Sequence, residues 1–174
     1  MESAQNNPSF AEPFERYLGV DPGLNRTGYA LLVRAQRTPL LKEAGVIRST
    51  RGLSLAQRVY EIGKGLREVI REFEPQAMAV EQVFSIGKYP KTALLMAHAR
   101  GAVLMTAAER NIPVVHYTPT QVKRSLTGSG RASKVQIQHA VKNELRLDCL
   151  LEPNDVSDAT AVALCLFHSI RFAA

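Results

Sequence analysis

Four carboxylates stand where the surrounding pattern calls for apolar side chains. Asp21 ends the run Leu18-Gly19-Val20, Glu81 follows Ala77-Met78-Ala79-Val80, and Asp155 and Asp158 open an apolar stretch from Ala159 to Ile170. A carboxylate taken out of water is costly unless it is paired, hydrogen-bonded or bound to a cation. Each acid alone has a plainer reading. Asp21-Pro22-Gly23 is ordinary turn chemistry, Glu81 suits a strand edge, and acids at Asp155 and Asp158 offset a helix dipole. Taken together they are harder to dismiss. A spacing of three sets Asp155 and Asp158 side by side on one helix face, where they repel unless a divalent cation neutralises them. Four such acids in a chain of net charge +6 point to a divalent-metal site that faces a polyanion.

The positive charge is unevenly placed. Between Ser85 and Asn143 lie nine bases, among them Lys88, Lys91, Lys123, Arg124, Arg131 and Lys134, against the single acid Glu109. The rest of the chain has 13 bases and 15 acids. Such a concentration is the footprint of phosphate binding, although a solvated basic face has the same composition. The length of 174 residues suits one domain with a real core. No apolar run approaches a membrane span, and the polar residues 1–16 lack the apolar stretch of a signal peptide. They read as a flexible N-terminal arm before a single domain, 17–174. Cys149 and Cys165, without metal-ligand spacing, read as buried reduced thiols in a cytoplasmic protein.

The elements that must position the acids follow from hydrophobic period and turn residues. Strands are predicted at Tyr17–Asp21, Thr27–Val33, Leu40–Ser49, Ala77–Val83 and Pro113–Tyr117. Helices are predicted at Leu53–Phe73, at Thr92–Arg110 with Leu94, Ala97, Gly101, Leu104 and Ala108 on one stripe, and at Pro119–Leu126 capped by Thr118. A further helix begins at the capping box Ser133/Gln136, and the last is capped by Asn154. The order β-β-β-α-β-α-β-α-α-α implies a meander followed by alternating elements. The fold class is therefore α/β, a mixed five-stranded sheet with helices on both faces.

The segments Leu18-Gly19-Val20-Asp21-Pro22-Gly23-Leu24-Asn25-Arg26-Thr27-Gly28-Tyr29, Val80-Glu81-Gln82-Val83-Phe84, Ala99-Arg100-Gly101, Gln121-Val122-Lys123, Gly128-Ser129-Gly130 and Asp155-Val156-Ser157-Asp158-Ala159 occur in order. They resemble the RuvC family of Holliday junction resolvases, from about Tyr17 to the C-terminus. The resemblance implies a ribonuclease-H-like fold, a homodimer, and Mg²⁺- or Mn²⁺-dependent cutting of four-way DNA junctions in recombination and repair. It also implies work alongside a branch-migration helicase. By this resemblance Asp21, Glu81, Asp155 and Asp158 are the catalytic acids, Phe84 an aromatic that stacks on bases near the junction centre, and Lys123 and Lys134 bases needed for cleavage. Lys88, Lys91, Arg124 and Arg131 are further candidate DNA contacts.

The chemistry of the residues agrees with that expectation. Mg²⁺ prefers oxygen ligands, and carboxylates from two strands and a helix suit a pair of ions, one acidifying a water and one stabilising the leaving oxygen. The products would be a 5′-phosphate and a 3′-hydroxyl. Lys134, at a helix start, would steady the scissile phosphate by its charge and by free backbone amides. On sequence alone Phe84 reads as core more readily than as a stacking platform, although its place just after a strand end favours the latter. The four histidines are dispersed and read as packing or surface, with His139 the least determined. Two rivals are a non-catalytic junction binder, which would lose an acid, and a phosphotransferase of the actin and sugar-kinase type, which would need a second lobe.

Overall fold

The alternation of side chains along β1 (Arg16–Asp21) divides the molecule into its layers. Leu18 and Val20 join one core, with Met78, Val80, Leu66, Val69, Val103 and Ala107, while Tyr17 joins another, with Ala79, Val162 and Phe167. The structure, a computed structural model, describes residues 15–82 and 90–171, apart from the side chains of Pro90 and Arg171.

β1 is followed by β2 (Arg26–Ala35), β3 (Thr38–Arg48), α1 (Leu55–Phe73), β4 (Ala77–Glu81), α2 (Pro90–Ala108), β5 (Val114–Tyr117), α3 (Pro119–Thr127), α4 (Lys134–Glu144) and α5 (Asn154–Arg171). The sheet order is β3-β2-β1-β4-β5. β1, β2 and β3 pair antiparallel, and β4 and β5 run parallel to β1. The expected element order and mixed sheet are both present. α1 and α2 cover one face, and α5 covers the other together with α3 and α4.

Two glycines set how closely α5 approaches the sheet. A Cβ on Gly19 would stand 2.2 Å from the Ala159 carbonyl oxygen, and a Cβ on Gly28 would stand 2.0 Å from that of Asp155. Without side chains at these points the helix lies directly on β1 and β2. α5 is buried almost all round, from Ala159 through Phe167, so each of its large side chains contributes roughly 1.5–3 kcal/mol of apolar burial.

Local signals account for most helix ends. The Thr118 and Ser133 caps are present, and each is a full capping box with Gln121 or Gln136; Ser54 with Gln57 forms a third at the start of α1. Three expectations change. Asn154 is the first residue of α5 rather than a cap on it, and its Oδ1 accepts from Gln138 Nε2 at 2.7 Å. Cys149 is exposed and only Cys165 is buried, both free, because Cys149 lies in the irregular α4–α5 connection. The stripe picked out on α2 faces mostly outward. The buried residues of α2 are Ala99, Ala102, Val103, Thr106 and Ala107, whereas Leu94 of the stripe is 63 % exposed and Met105, outside the stripe, 50 %. A helix that is apolar on several faces has no single stripe by which sequence can identify its core side.

Candidate active site

Strand parity brings the first two acids together. Tyr17, Gly19 and Asp21 alternate with Leu18 and Val20, so Asp21 shares the α5 side of the sheet with Gly19. The same count along β4 puts Ala77, Ala79 and Glu81 on that side. β1 and β4 are parallel and in register, with Gly19 opposite Ala79 and Val20 opposite Val80, so both acids sit at neighbouring carboxyl ends of central strands. In open α/β sheets this is where ligands bind.

The turn after Asp21 is tightly held. Thr27 Oγ1 donates to the Gly23 carbonyl at 2.9 Å, and a Cβ on Gly23 would meet the Arg26 carbonyl oxygen at 2.4 Å. Asp21 lies opposite Gly28 in the β1–β2 ladder. Because Gly28 carries no side chain, the first turn of α5 settles over it and delivers Asp155 beside Asp21. Asp158 follows one turn later.

Charges at close quarters show in the acids' proton affinities. Burial, reinforced by the carboxylates of Asp158 and Asp155, pushes Asp21 up to about 7, with Lys134 opposing. Burial also pushes Glu81 up to about 7, helped by Asp21 and Asp158 and opposed by Lys123 and Lys134. The four acids thus form one electrostatic cluster. Basic side chains engage two of them: Lys134 Nζ donates to Asp158 Oδ2 at 2.8 Å, and Arg26 Nε lies 3.2 Å from Asp155 Oδ2. The Arg26 contact is an ion pair without hydrogen-bond geometry, and Asp155 Oδ2 is buried with no hydrogen-bond donor among the described residues.

Among the described residues, no three Asp, Glu, His or Cys side chains are drawn tightly enough to hold one ion as they stand. Asp155 and Asp158 lean towards their basic neighbours instead. The donor set still fits a hard divalent cation, since it is all oxygen, mutually repulsive and includes a buried carboxylate oxygen that lacks a hydrogen bond.

A cavity of about 230 Å³ beside these acids is lined by Glu81, Asp158, Lys123, Lys134 and apolar residues of α3, α4 and α5. Lys123 and Lys134 therefore face the acids from two helices. The Ser133 hydroxyl accepts from the Gln136 amide, so one first-turn amide of α4 is already used, and the Lys134 ammonium carries more of the attraction for an anion than was expected. Arg124 and Arg131 are exposed around the α3–α4 connection, and Lys91 is exposed at the start of α2. Phe84 and Lys88 lie outside the described residues. None of the histidines joins the acids: His116 contacts Arg100, His168 bridges Glu144 and Ser125, and His98 and His139 are exposed.

Arg26 escaped the sequence reading. Its signal was its place in the turn segment after Asp21, but only the packing of α5 over Gly28 shows that it reaches Asp155.

The family model for crossover junction endodeoxyribonuclease RuvC matches residues 17–166. The chain belongs to the RuvC family. A RuvC from Rhodopirellula baltica is 51 % identical over 148 residues, spanning 85 % of this chain and 83 % of that one. One from Pelotomaculum thermopropionicum is 42 % identical over 151 residues, 87 % and 92 % of the two chains. Thermus thermophilus RuvC in complex with Holliday junction substrate superposes with a TM-score of 0.83 at 31 % identity, covering 91 % of this chain and 97 % of that one. A second Thermus thermophilus RuvC structure gives 0.81 at 30 % identity, with the same coverage. The fold is accordingly the ribonuclease-H-like fold of RuvC.

Proposed function

We propose that this chain resolves four-way DNA junctions by metal-dependent hydrolysis of phosphodiesters, leaving 5′-phosphate and 3′-hydroxyl ends. One observation carries the reading: four carboxylates from β1, β4 and α5 converge at the carboxyl edge of the sheet, with Lys123 and Lys134 beside them. Asp21, Glu81, Asp155 and Asp158 would hold Mg²⁺ or Mn²⁺, two ions per site. Bound there, such ions supply an acidified water and neutralise charge on the phosphate.

The protein's own residues do the positioning. Strand ends and the first two turns of a buried helix hold the carboxylates, since both β1 and α5 belong to the core. Lys123 and Lys134 set positive charge where the scissile phosphate would lie, and Lys134 is held in place by Asp158 until a phosphate competes for it. Preorganised cations of this kind stabilise developing negative charge without having to reorganise. Arg124, Arg131, Lys91 and Lys88 would contact the junction arms, and Phe84 would stack on a base near the crossover.

The outward stripe of α2 supports a homodimer. Leu94 and Met105 expose apolar surface, and among the described residues nothing lies within 4 Å of a Cβ on Gly101, which leaves room for close approach of another backbone. A two-fold dimer presents two acidic sites to a junction of the same symmetry. A Leu94→Glu, Met105→Glu variant should run as a monomer in light scattering.

The direct test incubates the protein with an end-labelled synthetic four-way junction in Mg²⁺, in Mn²⁺ and in chelator. Paired nicks with either metal and none with chelator are expected. Cutting that persists in chelator would remove the metal from the reading.

A further inference from the structure

The net positive charge of the chain is concentrated between residues 85 and 143, yet a second basic surface gathers from outside that stretch. A cleft of about 660 Å³ opens between the β1–β2 turn, the end of β3 and α2; Arg26, Arg48, Arg51, Asn25, Leu95 and Asp155 are among its lining residues. Asp155 is the one acid in that lining, so the cleft runs up to the acidic site.

The register makes this charge costly. Arg26 and Arg48 stand directly opposite one another in the β2–β3 ladder, and like charges in that relation destabilise a sheet. Asp155 offsets Arg26. Among the described residues neither Arg48 nor Arg51 enters an ion pair, and both are exposed.

The floor beneath them is braced by another arginine. Arg58 Nη2 donates to Asn25 Oδ1 at 2.6 Å and to the Leu24 carbonyl at 3.3 Å, while its Nε donates to Ser49 Oγ at 3.0 Å. Ser49 Oγ in turn donates to the Leu24 carbonyl at 2.5 Å. The segment that leads to Arg51 is fixed where the Thr50 amide and hydroxyl donate to Glu61 at 2.6 and 2.9 Å. A hydrogen-bonded floor thus carries two exposed arginines without acidic partners among the described residues, one of them opposite Arg26, and an anion between them would relieve that repulsion. The fork of an arginine matches phosphate oxygens.

We infer that this cleft is a strand-binding subsite, taking the sugar–phosphate backbone of a junction arm next to the scissile phosphate. Arg48 and Arg51 grip phosphate oxygens, and Leu95 and Met96 of α2 form the wall against the sugars. The inference rests on the junction reading above, and supplies that site with a second basic surface distinct from Lys123 and Lys134.

The test is the salt dependence of junction binding, followed by fluorescence anisotropy in chelator between 50 and 200 mM salt, on the order of the range where phosphate contacts dominate. Wild type is compared with Arg48→Gln, Arg51→Gln, the double variant, and Lys64→Gln on the exposed side of α1. Each cleft substitution should weaken binding and flatten the plot of log affinity against log salt by about 0.9, the yield of one lost phosphate contact. Lys64→Gln should leave the slope unchanged. Arg48→Gln should also melt at or above the wild-type temperature at low salt, because it relieves the opposition to Arg26. A double variant with wild-type slope and affinity overturns the subsite and leaves the junction reading intact. A lower melting temperature accompanying the binding loss would make Arg48 structural and also overturn it. If wild type itself shows no preference for a four-way junction over duplex, the junction reading fails and the subsite fails with it.

Discussion

Lys134 Nζ and Asp158 Oδ2 are 2.8 Å apart, joining the first residue of α4 to the second turn of α5. One carboxylate oxygen thereby serves two purposes. It accepts the Lys134 ammonium, and it is also among the oxygens proposed to bind metal. A cation held by Asp158 would compete with Lys134 for this oxygen and would leave the ammonium available to a phosphate, so metal occupancy and the position of the base would be linked.

Lys134→Ala should therefore slow cleavage far more than it weakens binding. Removing a preorganised charge of this kind costs roughly 10²–10³ in rate, whereas one phosphate contact among several changes affinity modestly. Single-turnover nicking and junction affinity, measured on the same protein, separate the two. Equal losses in both would leave Lys134 a general electrostatic contact.

The raised proton affinities of Asp21 and Glu81 give a stability prediction. Both groups titrate near 7 when folded and near 3.8 and 4.5 otherwise. The folded state thus retains protons that the unfolded chain releases between those values. Stability from these groups is full below about pH 4, falls as pH rises, and is lost above about pH 7. In chelator the melting temperature should decline from pH 5.5 to 8, by about 2–4 °C for each kcal/mol in a domain of this size. Mg²⁺ or Mn²⁺ should raise it, and more at pH 8 than at pH 5.5, since protons and metal compete for the same oxygens. Asp21→Asn should flatten the decline. A metal-induced rise that is equal at both pH values would contradict the coupling.

Gly28→Ala probes the approach of α5 to the sheet. The added Cβ would stand 2.0 Å from the Asp155 carbonyl oxygen, so the start of the helix must move. Overpacking of this kind costs roughly 1–3 kcal/mol, and here it also carries Asp155 away from Asp21. Denaturant unfolding should show the loss, with nicking reduced beyond what the remaining folded fraction explains. A variant of unchanged stability and rate would mean that α5 has slack at this point.

Much of this arrangement is legible in the residues. The spacing of Asp155 and Asp158 assigns them to one helix side, and Asp21 and Glu81 stand out at the ends of apolar strands, but it is the parallel register of β1 and β4 that puts those two on one face. Other features depend on packing that sequence does not display. α2 is apolar on more than one side, so which side meets α1 is settled by shape, and Leu94 and Met105 end up outside. The opposition of Arg26 and Arg48 depends on the hairpin register, which shifts between Leu31 and Leu32 where β3 bulges. Charge counted along the chain therefore overlooked the cleft formed by β2, β3 and α2.

The most direct measurement of the central claim is nicking of a labelled four-way junction by Asp158→Asn in Mg²⁺, beside wild type. The substitution keeps the shape of the side chain and removes one negative charge from the acidic cluster. Junction affinity within a few-fold of wild type, with nicking lowered by on the order of 10³ or more, is the predicted result. Nicking at the wild-type rate would show that the carboxylate of Asp158 takes no part in the chemistry.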